Sequence, residues 1–559
     1  MAPSGVSLAS HAVVRTSENR HRARAPSPSG RELVVATVLL LVLGGAVWGS
    51  HIFNGGFYWA DDWYHARLSL FPEETGLFAN RNPHTTGFRP VLGLLLALPY
   101  RVFGLRTELH LALAIILAVG ASTSFYWLLR TLGLERVAAW VSAGLVLLFP
   151  WSDSSRLWAT GSINNVALML FFGGAVLSLR GLRANGRRAT TFAVAGAALY
   201  TLAVLTYEVV GGAVLASVAV YAWWAGPRRA VQRWMLDLLF VVPALAYVWM
   251  RQPRHHTDHP SVVQQVSHAW HIGWDAVGLL WSAAIPAGLP HAVTAAAVLT
   301  VIVTALATWR LLPRDSAGRA TLQRWLVIAA VAAVTIVVAY VPFVPGLATY
   351  VPSAPGVQNR VNLLAAFGFV VLVYSLAMLT GTLLARLVQP GSLSRDSLGR
   401  AVALLVCLSI SIGYIGRDAR DKANWALATR VADHQLETIA RLVPEPAPGS
   451  VIYVFGDPTY VAPGVPVFAL AGDLKHAVKV KLRSRLVTAF PMRPPTRWVC
   501  GRFRMYPEDY SFGRTEGATY GRGIFISIPQ VWAVPINSEA ECRLWSRYFG
   551  HPPKDEWPR

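Results

Sequence analysis

From Leu33 to about Gly416 the chain is dominated by long apolar runs separated by short polar stretches. About 20 apolar residues span the hydrocarbon of a bilayer, so uninterrupted runs of this kind predict membrane-crossing helices. The pattern predicts spans at approximately 33–50, 107–129, 137–150, 158–179, 190–207, 208–225, 234–250, 288–309, 325–341, 361–385 and 401–416, about eleven transmembrane helices. Pro150 closes the short third run, and the polar "TYE" at 206–208 separates the fifth from the sixth, both marks of broken helices. A further apolar piece, "FRPVLGLLLALPYRVFG" at 88–104, is too short and too interrupted to span and is expected on the membrane surface.

The arginines order these runs. Arg15, Arg20, Arg22, Arg24 and Arg31 precede the first. Arg130 and Arg136, then Arg180, Arg183, Arg187 and Arg188, then Arg228, Arg229 and Arg233 fill alternate gaps, as do Arg310, Arg314, Arg319 and Arg324, and finally Arg386, Arg395 and Arg400. Cytoplasmic loops collect Lys and Arg, which puts the N-terminus in the cytoplasm, and an odd number of spans leaves everything after Arg417 on the far side. The formal net charge of +21 therefore reflects orientation and is no nucleic-acid footprint. Residues 1–32, rich in Ser, Pro, Arg and His, read as a disordered basic cytoplasmic tail. The run from Leu33 lacks a clear cleavage pattern and anchors the chain.

Residues 33–417 are thus expected to form the transmembrane domain. Residues 418–559 hold a helical pattern, "ANWALATRVADHQLETIARLV", and short strand-like runs, "SVIYVFG" and "GIFISI". The expected fold class is an α-helical polytopic membrane protein with a small extracytoplasmic C-terminal α/β domain, which suits a chain 54% hydrophobic and 14% charged. Cys407 lies within an apolar run, whereas Cys500 and Cys542 would fit a disulfide if their segment faces an oxidising compartment.

The far-side loops, 51–106, 151–157, 251–287 and 342–360, carry the unusual residues. In "FYWADDWYH", residues 57–65, Asp61 and Asp62 follow directly on the first span. Two close, partly desolvated carboxylates cannot both ionise freely, so one is raised toward neutrality and becomes a usable general base. The alternative is that one caps a short interfacial helix beginning near Trp63, within an aromatic belt. His65, His84, Asp153 and Glu208 are candidates to line a site beside the pair, Glu208 also suiting a helix-to-helix partner. Arg89, Arg156 and Arg360 fall at far-side helix ends, where a guanidinium can bind phosphate in bidentate fashion or simply snorkel to the headgroups. In "RHHTDH", His255, His256, Asp258 and His259 give a weak metal pattern. No nucleotide-binding motif occurs, so an activated donor would have to come from the membrane as a lipid phosphate.

This order of features resembles the multispanning glycosyltransferases of the GT-C fold, especially the protein O-mannosyltransferase and arabinofuranosyltransferase type. The resemblance is carried by "ADD" at 60–62 in the first far-side loop and by the surface helix, which opens on Arg89-Pro90 where many relatives have two prolines. It continues in "LVLLFPWSDSSRLWATGSINNVALMLFF" at 145–172, where Pro150 closes one helix and Arg156 precedes the next. It covers residues 33 to about 225, extends to the later spans by topology only, and leaves the C-terminal domain unmatched. It implies a polyprenyl-phosphate sugar as donor and a hydroxyl on a glycan, lipid or protein as acceptor. It also implies Asp61 as base, with Asp62 as second choice, arginines on the departing phosphate, and inversion at the anomeric carbon. Some such enzymes hold a divalent cation with their first-loop acids, so a cation at Asp61/Asp62 stays open. The rival classes are a transporter or lipid flippase, for which clear internal repeats and mid-membrane ionisable groups are wanting, and a catalytically silent scaffold of the same fold.

Overall fold

The structure is a computed structural model describing residues 28–72, 86–251, 261–284, 316–349, 351–353, 356–388, 395–456, 458–492, 498–507 and 517–550. The first helix, α1 (Gly30–Asn54), is capped by Ser29, whose hydroxyl accepts from the Glu32 amide at 3.1 Å. Then come α2 (Trp59–Leu70), α3 (Pro90–Phe103), α4 (Thr107–Thr131), α5 (Arg136–Leu147), α6 (Asn164–Gly181), α7 (Gly186–Thr206), α8 (Val210–Ala225) and α9 (Pro227–Arg251). The series continues with α10 (Val262–Ala284), α11 (Ser316–Tyr340), α12 (Leu363–Val388) and α13 (Arg395–Leu442). Among the described residues eight helical segments are long and apolar enough to cross a membrane, which makes this a polytopic membrane protein.

These eight coincide with eight of the eleven predicted spans. Two others, 137–150 and 208–225, correspond to α5 and α8, apolar helices of 12 and 16 residues. The run at 288–309 lies outside the described residues. The surface helix expected at 88–104 is α3; it buries Leu92, Leu96 and Tyr100 and turns Leu94, Leu98 and Val102 outward, one stripe per face. Helix α10 was not expected. Its Gln, His and Ser positions dilute the apolar run, yet His268, Ile272, Ala276 and Leu280 return at helical spacing and pack toward residues 341–349.

The arginine-bearing turns gather at one end of the bundle. Glu32 of α1 accepts from Arg130 of α4 at 2.6 Å and from Arg136 of α5 at 3.2 Å. Arg400 at the start of α13 pairs with Glu135 at 2.9 Å, and Arg324 of α11 donates to the Gly133 carbonyl at 2.7 Å. The loops carrying Asp61, Asp153 and Arg360 meet at the opposite end, described below as the acid end.

Helix α13 is one element of 48 residues, about 72 Å long at 1.5 Å per residue. The boundary expected at 417/418 therefore falls inside a continuous helix, because the apolar run and the amphipathic helical pattern after it join without a breaker. Beyond it come β1 (Val451–Phe455), β2 (Tyr460–Ala462), β3 (Val465–Pro466), α14 (Ala471–Lys481), β4 (Thr488–Met492), β5 (Trp498–Cys500), β6 (Arg504–Pro507), β7 (Ala518–Thr519), β8 (Gly523–Ser527), β9 (Trp532–Ile536) and α15 (Glu539–Gly550). The main sheet has the order β4-β1-β8-β9, with β1 parallel to β4 and β8 and β9 antiparallel to β8. Strand β1 is apolar at every position because both its faces are covered. Ile452 and Val454 join α14 in a core continuous with that of the bundle, whereas Tyr453 and Phe455 enter a separate core with Trp498 and Phe525. A disulfide between Cys500 and Cys542 ties β5 to α15 beside this second core.

Candidate functional site

Helix α2 starts at Trp59, four residues earlier than the sequence suggested, with Tyr58 as its N-cap residue. Asp61 and Asp62 both lie in its first turn, where the helix dipole favours negative charge. Adjacent helical positions diverge by about 100°, and the two carboxylates meet different surroundings. Asp62 is fully buried: one oxygen accepts from the Tyr58 amide at 2.9 Å, and the other from Tyr100 at 3.0 Å, the Thr160 amide at 2.9 Å and the Thr160 hydroxyl. Burial raises its carboxyl to about 7, and the donors from Thr160, Tyr58 and Tyr100 keep it from going higher. Asp62 thus reaches back to the start of its own helix and ties it to α3 and to the turn before α6. The capping reading applies to this residue.

Asp61 is half-buried and has no hydrogen-bond partner among the described residues. Burial raises its carboxyl above the ordinary range, while the positive charges of Arg360 and Arg89 pull it back down. Arg360 lies in the short helical turn Val357–Asn362, half-buried, with its guanidinium 5.2 Å from the centre of the Trp158 ring. Among the described residues it has no ion-pair or hydrogen-bond partner. Arg89, at the N-cap position of α3, is engaged by both oxygens of Glu208, with Nε at 2.6 Å, and lies over the Phe88 and Tyr207 rings. Asp61, Arg89, Arg360 and Glu208 therefore form one neighbourhood.

The other expected site residues lie elsewhere. Arg156 is 3% exposed, donates to the Phe149 carbonyl at 2.5 Å and sits over the Trp48 ring, and the charges acting on it are those of Asp418 and Asp153. Asp153 is fully buried against Asn359, whose Nδ2 donates to it at 2.5 Å. Both are buried in the turn that follows Pro150, because Pro150 and the short helices after it fold the chain inward. His65 is buried among Tyr64 and Tyr100, and burial lowers its imidazole to about 3, so it stays neutral. His84 and the 255–259 histidine stretch lie outside the described residues. Among the described residues no three His, Cys, Asp or Glu side chains converge as metal ligands would, and the oxygens of Asp62 are occupied by N–H and O–H donors, which leaves Asp61 as the member of the pair with open oxygens.

The C-terminal domain also takes part in this neighbourhood, which no motif in the chain announces. Helix α14 packs on α2, with Phe468 6.2 Å from Trp63 and His476 5.3 Å from Tyr64, ring centre to ring centre. Asp473 of α14, fully buried, accepts from the Leu470 amide at 2.8 Å, and burial raises it to about 8 with the charges of Asp61 and Asp62 adding to the shift. The β2–β3 hairpin reaches the Arg360 segment: the Val357 amide donates to the Gly464 carbonyl at 2.9 Å. Gly356 has φ +76°, and a Cβ there would overlap the Gly464 backbone, so this contact requires glycine. Asn359 and Asn362 were also missed; two amides three residues apart around Arg360, at the head of an apolar run, were the available signal.

The fold defined by these elements is that of an α-helical multi-pass membrane protein with an α/β domain packed on its acid end. No family model and no curated protein matches the chain. Among solved structures it is similar to the crystal structure of ArnT from Cupriavidus metallidurans bound to undecaprenyl phosphate, at 15% identity over 81% of this chain and 85% of that one, with a TM-score of 0.42. A likeness at that level carries no conclusion about what this chain binds or does.

Proposed function

We propose that this protein is a glycosyltransferase of the GT-C type that moves a sugar from a polyprenyl-phosphate donor to an acceptor hydroxyl. The reaction would take place on the extracytoplasmic face, the arginine-bearing turns marking the cytoplasmic end. The observation that carries the reading is Asp61: a half-buried carboxylate without a hydrogen-bond partner among the described residues, facing the charge of Arg360. A base must keep its lone pairs free and its basicity raised, and Asp61 has both features while Asp62 has given up its oxygens to structure.

In this reading the acceptor hydroxyl gives its proton to Asp61 as its oxygen bonds to the anomeric carbon. The bond from that carbon to the phosphate oxygen breaks, and its electron pair leaves with the polyprenyl phosphate, whose added charge Arg360 stabilises. Attack from the side opposite the leaving group inverts the anomeric centre. Arg89 is neutralised by Glu208, so it contributes field and shape, and the phosphate contact falls to Arg360. The test is transfer from a panel of polyprenyl-phosphate pentoses and hexoses by the purified protein in detergent. Wild-type transfer lost in Asp61→Asn supports the reading, and wild-type-like transfer by Asp61→Asn refutes it. The flippase alternative predicts donor translocation without any glycosylated product.

A further inference from the structure

Arg360 is bracketed in sequence by Asn359 and Asn362, both fully buried. The Asn359 side-chain oxygen accepts from the Ser154 amide at 3.2 Å and from the Ser154 hydroxyl at 2.6 Å, and its Nδ2 donates to Asp153 at 2.5 Å. A backbone N–H can only donate, so the contact with Ser154 fixes which way the Asn359 amide faces. Asn362 donates to the Trp151 and Ser353 carbonyls, each at 2.8 Å, and accepts from Tyr340 at 2.9 Å. Residues 151, 153 and 154 belong to the compact turn that follows Pro150 and ends at Trp158, whose amide donates to the Ser154 carbonyl at 3.0 Å. Trp158 is also the floor under the Arg360 guanidinium, at 5.2 Å.

The backbone that carries Arg360 and the ring on which its head rests are therefore referenced to one rigid turn. An arginine held at both ends loses little freedom when an anion arrives, whereas a free one would have to be ordered by its ligand. We propose that Asn359, with Asp153 and Ser154 as its partners, is a positioning residue that pre-sets Arg360 for a lipid phosphate. This rests on the reading of Arg360 as the phosphate contact given above. It assigns Asp153 a role in holding the phosphate-binding arginine in place, at one remove from the ligand.

The experiment measures binding of undecaprenyl phosphate to the full-length protein in detergent by native mass spectrometry, with thermal unfolding followed in parallel. Asn359→Asp sets two carboxylates against each other, while the exchange Asp153→Asn/Asn359→Asp restores donor to acceptor with the polarity reversed and the total charge unchanged. The expected result is binding weakened about tenfold in Asn359→Asp and recovered to within about threefold of wild type in the exchange, the coupling typical of two side chains in direct contact. Wild-type binding by Asn359→Asp overturns the proposal, as does an exchange that regains thermal stability without regaining binding. Should Asn359→Asp fail to fold, Ser154→Ala decides instead: it removes the hydroxyl's bond to Asn359, and affinity reduced about threefold at near-wild-type unfolding temperature supports the brace, whereas unchanged affinity overturns it. Arg360→Ala separates the two layers. If it binds as wild type, the phosphate reading itself falls, and the brace with it; if it binds weakly while Asn359→Asp and Ser154→Ala do not, the brace alone falls.

Discussion

The two ends of the bundle treat their carboxylates in opposite ways. At the arginine end both oxygens of Glu32 are occupied, by Tyr126 and Arg130 on one side and Arg136 on the other, and Asp237 shares its two oxygens between Arg233 and Tyr221. Among the described residues at the acid end, Asp61 has no hydrogen-bond partner, Asp418 is fully buried with neither oxygen hydrogen-bonded, and Asp153 uses only one. Buried charge is costly unless it is paired and hydrogen-bonded; the first end meets both conditions, whereas at the second Asp418 and Asp153 sense the charge of Arg156 but leave oxygens without hydrogen bonds. Asp62, saturated by donors, and Glu208, paired with Arg89, are held there as the carboxylates of the arginine end are, and Asp62 lies one residue from Asp61.

That contrast can be broken most sharply at Asp61. Asp61→Asn should lower transfer about 10³-fold, within the usual range for a lost general base, and leave the unfolding temperature unchanged because no hydrogen bond is lost. A parallel fall in stability would place Asp61 with the structural acids. Asp62→Asn should do the reverse in emphasis. It turns an amide toward N–H and O–H donors in a buried site, so unfolding should be favoured by roughly 2–4 kcal/mol, read as a drop in melting temperature by tryptophan fluorescence. Next in size, Glu32→Gln should cost about 1–2 kcal/mol by weakening its charge-assisted bonds to Arg130 and Arg136, with transfer per folded molecule unaltered; lost transfer would mean that the two ends are not independent.

The smallest expected effect is on pH dependence. Asp61 must be ionised to accept a proton, and burial raises its carboxyl, so kcat/KM should fall on acidification at a pH above the ordinary carboxylate range. Arg360 lowers that value, so Arg360→Ala should move the acid limb to higher pH. A limb that stays in place or moves down would show that the two groups do not sense each other.

The spans were legible because bilayer thickness imposes one length on apolar runs, and the alternation of arginines was legible because it is a property of loops in order. The "ADD" stretch was legible as a pair of acids at the start of a helix. Which of its two acids stays free was not readable, since the groups that saturate Asp62 come from Tyr100 and Thr160, distant in sequence. The same limit hid the burial of Arg156: its position at a helix end is local information, whereas the inward fold of the turn around it depends on Asn359 and Asn362 much later in the chain. Helix α10 escaped notice because its buried stripe is diluted by polar positions, and α14 because nothing in its own sequence announces a partner in residues 59–70.

The contact of the C-terminal domain with both halves of the site also fixes the order in which the protein can be made. Chains enter the membrane N-terminus first, so Asp61 emerges early in synthesis, long before the residues that complete its surroundings. Tyr58 finds its hydrogen bonds on Trp425 and Thr429, α2 finds its packing partner in residues 471–481, and the Arg360 segment is pinned by Gly464. A nascent chain therefore carries its reactive carboxylate through most of translation without the scaffold that gives it a defined setting. Only when residues 425–481 have folded do the acid, the guanidinium and their supports come into register.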